Sequence, residues 1–412
     1  MGEPGHYRTR GQPAAVAAVR AMVRGGMPHA LLFAGPSGVG KATLADDVAA
    51  ALLCLAPEPA ARPCRECRGC RAFEHGNHPD VHRLAPTGAG AMIPIGGRDE
   101  RGVRELVREL ALLPVEGGAR VAIITDADRM TEDAQSAFLK TLEEPPPGTV
   151  LLLTASDEER LLPTIRSRCS RIRLGPVARP EIEALLLDAG LADAPLAARL
   201  ARLSGGRPGD AVALARAPES LTIRGEVGRT LLDLSAATRA DRLRLGRDLL
   251  ARAGTLAAAM RAANLAPGAD GGAAAHGPAR GRRGAPAKSG PVLAGRAAEA
   301  SAAVTEASAG TDPDAEGVSP AARVPASERR AAALTLVAIW RDVARDLTLV
   351  ALGDAGDVRQ LDLLDDLDAA SRRLPASFGA TQLHHLDVAG ERLEGNVSPE
   401  LVVDALALGW AA

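Results

Sequence analysis

Aromatic residues are almost missing from the chain: they make up 2% of 412 positions, with two Trp and one Tyr. A core without them must be built from Leu, Val, Ile and Ala. That suits helices and buried parallel strands better than an antiparallel sandwich. No apolar run approaches the length of a membrane span, and Met1–Arg10 lacks the apolar centre of a signal peptide. A cytoplasmic chain with no membrane partner is therefore expected. The net charge is −2, which argues against a dedicated DNA-binding domain with a strong field of its own. A local basic patch, or DNA contact shared across a complex, stays open. Cysteine is scarce, with five residues, and four of them fall between Cys54 and Cys70. In the cytoplasm these read as thiols or metal ligands, not disulfides.

At 412 residues the chain is too long for one ordinary core. Apolar runs at Ala30–Ala34, Asp80–Leu84, Arg120–Thr125, Thr149–Thr154 and Arg171–Leu174 read as buried strands. Helical patterns lie between most of them, which implies a parallel sheet covered on both faces. Over Thr131–Glu144 the helix logic is clearest. Thr131 caps, Glu132 and Asp133 favour the first turn, Phe138 and Leu142 share a face, and Pro145 ends the helix. A short helix is expected over Glu158–Ile165. From Pro180 the pattern is purely helical. Glu181–Ala189, Leu196–Leu203 and a helix after the Gly205–Asp210 turn read as a small lid. Helical periodicity continues over Leu221–Ala263 and resumes at Glu328, with helices expected over Leu334–Leu352, Val358–Leu374, Thr381–Glu394 and Pro399–Gly409. Residues 266–327 are dominated by Ala, Gly, Pro, Ser and Arg and cannot bury enough apolar area to offset their ordering entropy. They read as a disordered insertion. Its cluster Arg280, Arg282 and Arg283 reads first as solvated linker, with nucleic-acid contact as the sharper alternative.

Gly35-Pro36-Ser37-Gly38-Val39-Gly40-Lys41 follows an apolar strand and precedes a helix, the context a phosphate-binding loop needs. Its glycines let backbone N–H groups curl around phosphate oxygens at a helix N-terminus, and Lys41 reaches the terminal phosphates. The next position usually supplies a magnesium-ligating hydroxyl. Here it is Ala42, with Thr43 one place later and rotated by about 100° on the helix. ATP with magnesium is thus an expected but weakened ligand. The strand ending in Thr125 runs into Asp126, where a P-loop enzyme keeps its second magnesium-linked carboxylate. The residue that would orient the attacking water is Ala127, and Asp128 lies beyond it. Losing that base removes roughly 10²–10⁴-fold of rate. Cys54, Cys64, Cys67 and Cys70 have the spacing C-x9-C-x2-C-x2-C, which fits a closed structural zinc site. His75, His78 and His82 are nearby but not needed. The bland alternative is a redox pair plus a core Cys54 on an apolar helix. Ser167-Arg168-Cys169 holds an arginine at a domain edge, which can stabilise phosphate charge on a neighbouring protein. A plain surface arginine is the default for three residues alone.

Several segments together resemble the AAA+ subunits of bacterial DNA polymerase III clamp loaders. They are His29-Ala30-Leu31-Leu32-Phe33, Cys64-Arg65-Glu66-Cys67-Arg68-Gly69-Cys70, Leu139-Lys140-Thr141-Leu142-Glu143-Glu144-Pro145-Pro146 and Ser167-Arg168-Cys169, with Asn396-Val397-Ser398-Pro399-Glu400-Leu401 near the end. The resemblance spans about 11–263 and 328–412. It implies an α/β P-loop AAA+ domain with a parallel sheet over 1–178, a zinc module at about 54–78, a helical lid over 179–216 and an all-α collar over 217–265 and 328–412. Of the family's subunit types, Thr125-Asp126-Ala127-Asp128 is similar to the non-hydrolysing delta-prime type. The gamma/tau motors carry an Asp-Glu pair there. Motors also keep an arginine before the lid's Asp-Ala pair, where this chain has Gly209 before Asp210-Ala211, with Arg207 two places away. The resemblance implies that Arg168 acts in trans on a neighbour's ATP. It also implies a hetero-pentamer with gamma/tau and delta that loads a sliding clamp on primed DNA in the nucleoid-associated replisome, and weak or absent ATP hydrolysis by this chain. An active motor subunit and a zinc-dependent nucleic-acid-binding module are the alternatives.

Overall fold

The computed structural model describes residues 5–87, 92–97, 101–116, 118–265, 324–395 and 397–410. Within them helix α1 (Pro13–Gly25) precedes strand β1 (Ala30–Ala34), and α2 (Lys41–Leu53) follows the glycine-rich loop. Next come α3 (Arg68–Glu74), β2 (Val81–Leu84), α4 (Val103–Leu110), β3 (Arg120–Ile124), α5 (Glu132–Glu143), β4 (Thr149–Ala155), α6 (Pro163–Arg168) and β5 (Ser170–Arg173). The five strands form one parallel sheet in the order β2-β3-β4-β1-β5. β1, β3 and β4 are buried at every residue, so their sequences are mostly apolar with no alternation; the buried exceptions are Arg120, Thr149 and Thr154. One face of the sheet packs on Val19, Leu44 and Val48 of α1 and α2. The other packs on Leu106, Phe138 and Leu142 of α4 and α5. Each expected strand is present to within a residue at either end.

The cap on α5 is as the sequence predicts: the Thr131 side chain accepts the N–H of Ala134 at 3.2 Å. The expected helix over Glu158–Ile165 is not one helix. A 3₁₀ turn spans Glu158–Arg160, and α6 starts at Pro163. Pro163 at the first helical position forces Leu162 out of helical geometry, to φ −52° and ψ 138°. The N–H of Leu162 goes instead to Gln135 Oε1 at 2.7 Å.

The lid is α7 (Arg179–Asp188), α8 (Ala194–Leu203) and α9 (Pro208–Arg216), closed around Ile182, Leu186, Leu200 and Leu214. The expected periodicity over Leu221–Ala263 is two helices, α10 (Glu219–Leu234) and α11 (Arg239–Leu265). They join α12 (Ala326–Ala351), α13 (Leu364–Ser371), α14 (Phe378–Glu394) and α15 (Pro399–Gly409) in one helical core. Both tryptophans meet there: Trp340 and Trp410 stand edge to face at 5.3 Å, with Phe378 at 5.1 Å from Trp410. Val358–Leu374, expected as one helix, is an extended approach and a 3₁₀ turn before the short α13. The buried Asp346 carboxylate accepts the N–H groups of Arg359 at 3.1 Å and Gln360 at 2.9 Å, so these are capped from a distance instead of by a helix.

The lid is tied to this helical core. Arg202 donates to the carbonyls of Gly356 at 2.7 Å and Val358 at 3.0 Å. Arg179 pairs with Asp357 at 3.0 Å and Arg199 with Asp362. Towards the sheet the chain crosses at Gly175-Pro176, where the Gly175 carbonyl accepts from Gln12 Nε2 at 2.6 Å. The insertion expected at 266–327 lies outside the described residues as far as 323, together with Arg280, Arg282 and Arg283. Its last residues are helical, because α12 begins at Ala326. Asn396 also lies outside the described residues. No described helix is long and apolar enough to cross a membrane.

Candidate functional site

Gly35 to Gly40 leave β1 in a tight loop that ends at Lys41, the first residue of α2, with Ala42 and Thr43 in the first turn. Gly35 has φ +146°, and a Cβ there would stand 2.0 Å from the Leu174 carbonyl, so no other residue fits. Val39 is fully buried and anchors the loop in the core. The Lys41 ammonium donates to the carbonyls of Gly35 at 2.7 Å and Pro36 at 2.8 Å and to Ser156 Oγ at 3.1 Å. Ser156 lies directly after β4 and also meets Ser37 Oγ at 3.2 Å. Burial pushes the Lys41 amine below its ordinary range, against the attraction of Asp126 and Asp128.

Asp126 follows β3 in left-handed geometry, φ 49° and ψ 54°, and its N–H donates to Thr154 Oγ1 at 2.9 Å. Burial, then repulsion from Asp128, holds its carboxyl above the ordinary range, with Lys41 and Arg129 opposing. Lys41 and Asp126, picked separately from the sequence, thus sit within one electrostatic neighbourhood. Ala127 is fully buried. Asp128 is committed elsewhere: its oxygens accept the N–H groups of Ser156 at 3.3 Å and Asp157 at 3.2 Å, bracing the turn after β4.

The lid reaches this loop. The Gly209 N–H donates to the Gly38 carbonyl at 3.3 Å. The Arg207 guanidinium is taken by the Ser204 carbonyl at 3.0 Å and by Asp210 at 2.9 Å, so it braces its own turn.

Cys54, Cys64, Cys67 and Cys70 come together, with all four sulfurs within 4.8 Å of one another. Cys54 is not on a helix; it is the extended residue after α2. The sulfurs also collect backbone N–H groups, from Leu55 and Cys70 to Cys67, from Cys64 to Cys54 and from Cys67 to Cys64, each at 3.4 Å. Burial opposes ionisation of Cys67, but the Cys70 and Leu55 N–H groups outweigh it and bring the thiol down to about 7. Four sulfurs with N–H donors and no further ligand fit a metal ion such as Zn²⁺ in a closed site. The histidines are spent elsewhere. His75 Nδ1 meets the Arg71 carbonyl at 2.6 Å, His78 Nδ1 accepts from Asp80 N–H at 3.2 Å and His82 Nδ1 meets Glu109 at 3.1 Å.

Asp47, on α2 two turns past Lys41, ties this module to the sheet. Its fully buried carboxylate accepts the Arg8 and Thr9 N–H groups at 3.0 and 2.9 Å, the Thr9 hydroxyl at 2.7 Å and the Arg65 guanidinium. Arg65 sits inside the Cys64–Cys67 turn in left-handed geometry, φ 62°. Nothing in the sequence marks Asp47, because its partners are brought together only by the fold.

Arg168 closes α6, a third exposed at its side chain. It donates to the Thr164 carbonyl at 2.9 Å and pairs with Glu143 at the end of α5. It therefore stands apart from the loop of its own chain, and Glu143 is a partner the sequence reading missed.

A parallel sheet with a glycine-rich loop and lysine after its inner strand β1, an acid after β3 on the far side of β4, and three helices seated on the loop define a protein with a P-loop fold. The family described as DNA polymerase III, delta subunit, matches residues 11–178. The delta' subunit of DNA polymerase III from Pseudomonas aeruginosa is 41% identical over 182 residues, 44% of this chain and 53% of that protein. That of Bacillus subtilis is 34% identical over 201 residues, 49% of this chain and 58% of that protein. The tau subunit of Escherichia coli is 32% identical over 195 residues, 46% of this chain and 29% of that protein. The chain spans about half the length of the delta' relatives it matches. Over that region it is similar to the delta' subunits of DNA polymerase III.

Proposed function

We propose that the chain is a delta-prime-type subunit of a clamp loader. It serves as a non-hydrolysing scaffold that lends Arg168 to the ATP of an adjacent gamma/tau subunit. In this reading 1–178 is the AAA+ domain with a structural zinc module at about 54–78, 179–216 is the lid, and 217–265 with 328–412 is the collar. The partners are gamma/tau and delta in a hetero-pentamer, acting on a sliding clamp and primed DNA in the cytoplasm.

The observation that carries this reading is the asymmetry between the two halves of a shared ATPase site. On the chain's own side, the position after Asp126 is a buried alanine, and Asp128 is locked on two backbone N–H groups. No side chain there can orient a water. Ala42 offers no hydroxyl to magnesium, and Gly209 offers no cation from the lid. Residues Gly35–Lys41 and Asp126 would hold ATP, with Thr43 a poor substitute ligand. When bound, magnesium would neutralise phosphate charge; turnover is expected near background. On the other side, Arg168 is exposed, and the Glu143 carboxylate holds its guanidinium at the rim of α5 and α6. An exposed ion pair is worth ~0–1 kcal/mol, so a phosphate can take the arginine from Glu143 at little cost.

The test is Arg168→Ala in this chain alone, within a reconstituted loader. Arginine fingers are worth roughly 10³–10⁵ in rate at the site they serve. The clamp- and DNA-stimulated ATPase rate should drop clearly with assembly intact. An unchanged rate would make Arg168 an ordinary surface residue, and steady turnover by the isolated chain would reassign it as a motor.

A further inference from the structure

A cavity of about 820 Å³ lies between α1 and the arm at residues 58–62 that leads into the cysteine module. None of Gly35–Lys41 lines it, so it is separate from the phosphate loop. Its charged lining is lopsided: Arg20, Arg24 and Arg62 stand against the single acid Glu58. These arginines have no carboxylate partner among the described residues. Each spends one N–H inside the chain: Arg20 on the Gly5 carbonyl at 3.1 Å, Arg24 on the Arg20 carbonyl at 3.2 Å, Arg62 on the Ala56 carbonyl at 2.7 Å. A guanidinium has five N–H donors, so most of this donor capacity is unspent.

Two polar atoms packed behind the lining are orphaned. Tyr7 Oη and Arg20 Nε are buried with no hydrogen-bond partner, and the Arg20 guanidinium lies 4.8 Å over the Tyr7 ring. Unpaired buried donors cost ~1–3 kcal/mol each and are rare without a reason. Burial, then the Asp47 charge, pushes the Tyr7 phenol up to about 12, so it stays a neutral O–H donor at physiological pH. Three side chains of the lining carry positive charge and supply its donors, and Val16, Val23 and Pro59 add an apolar wall.

We infer that this cavity binds a small phosphorylated molecule of nucleotide size, with its phosphate on Arg20, Arg24 and Arg62 and its apolar part on Val16, Val23 and Pro59. The volume falls within the ~300–1,000 Å³ common for small-molecule sites. Guanidinium forks match phosphate oxygens in pairs. A doubly charged phosphate balances the three arginines and Glu58 better than a single carboxylate does. One wall belongs to the cysteine module, so ligand affinity should fall when the metal is stripped.

The experiment uses the full chain carrying Lys41→Ala, which removes the phosphate contact of the other loop. Pyrophosphate and a short single-stranded oligonucleotide are titrated separately by calorimetry. Pyrophosphate should bind with a salt-dependent affinity. Arg20→Gln with Arg62→Gln should weaken it roughly tenfold or more, and Arg24→Gln, at an exposed position, should weaken it by several-fold. Melting temperature and metal content identify a variant that has failed to fold; Arg24→Gln then carries the test alone. The inference is overturned if pyrophosphate does not bind the Lys41→Ala chain, or binds it with an affinity these substitutions leave unchanged. It is also overturned if the oligonucleotide binds through Arg20 and Arg62 while pyrophosphate does not.

Discussion

Asp47→Asn is the most informative perturbation of the fold, because it changes one atom at a junction of three parts. The native carboxylate serves four donors: the N–H groups of Arg8 and Thr9, the Thr9 hydroxyl and the Arg65 guanidinium. An asparagine presents one carbonyl oxygen and an NH₂ group. The oxygen can serve two donors; the NH₂ then faces the other two with nothing to accept. Each unsatisfied buried donor costs ~1–3 kcal/mol, and Arg65 keeps only the more exposed Glu74 as a counter-ion, at 3.6 Å. A loss of ~3 kcal/mol is expected, read as a lower midpoint in urea with an unchanged slope. Arg65 belongs to the Cys64–Cys67 turn, so metal should also leave faster, measured with a chromogenic chelator. Arg65→Met in the same background gives the cycle, with a coupling of ~1–3 kcal/mol between the two positions. The reasoning fails if Asp47→Asn lies within ~0.5 kcal/mol of the parent, the range of an ordinary surface change, and metal release is unaltered.

Two other outcomes follow from particular contacts. Removing the metal, or changing Cys64→Ser, should speed hydrogen exchange at residues 5–10 and 54–75, while α12 and α14 keep their protection; uniform exchange across the chain would count against a local module. Glu109 gives a pH signature. Burial works against its charge, but His82 and the two-pronged Arg101 contact outweigh it and bring the carboxyl down to about 2 from an ordinary 4.5. A depressed carboxyl contributes stability that is present above about 4.5 and lost as pH falls towards 2. The side chain is 31% exposed, so solvent screening limits the contribution to ~1 kcal/mol. Glu109→Gln should thus melt below the parent at pH 7, with a gap that narrows on acidification; a gap that does not vary with pH would refute the assignment.

The strands were legible because a parallel strand covered on both faces leaves little room for polar residues, and Ala30–Ala34 or Val150–Leu153 announces itself. The phosphate loop and the cysteine cluster were legible because each is local: short spacing fixes the geometry. What escaped the sequence is what distant residues decide. Val358–Leu374 carries helical periodicity, yet Asp346, on α12, takes the N–H groups of Arg359 and Gln360 and leaves the helix to start at Leu364. The break at Pro163 was visible in principle, but the acceptor that stabilises it is Gln135, on α5. Glu143 could be read as one letter of a motif, and its pairing with Arg168 could not.

The ties between the lid and the C-terminal helices carry a mechanical consequence. Arg179, Arg199 and Arg202 fasten the lid to residues 356–362, while its link to the sheet is the Gly175-Pro176 crossing and the Gly209–Gly38 hydrogen bond. The helical core has a second route to the sheet, because Arg160 after β4 pairs directly with Glu394 at the end of α14. A load placed on α14 is therefore shared between that pair and the seat of Gly209 on Gly38, and a ligand that lifts Gly209 from the loop leaves the other anchor to carry it.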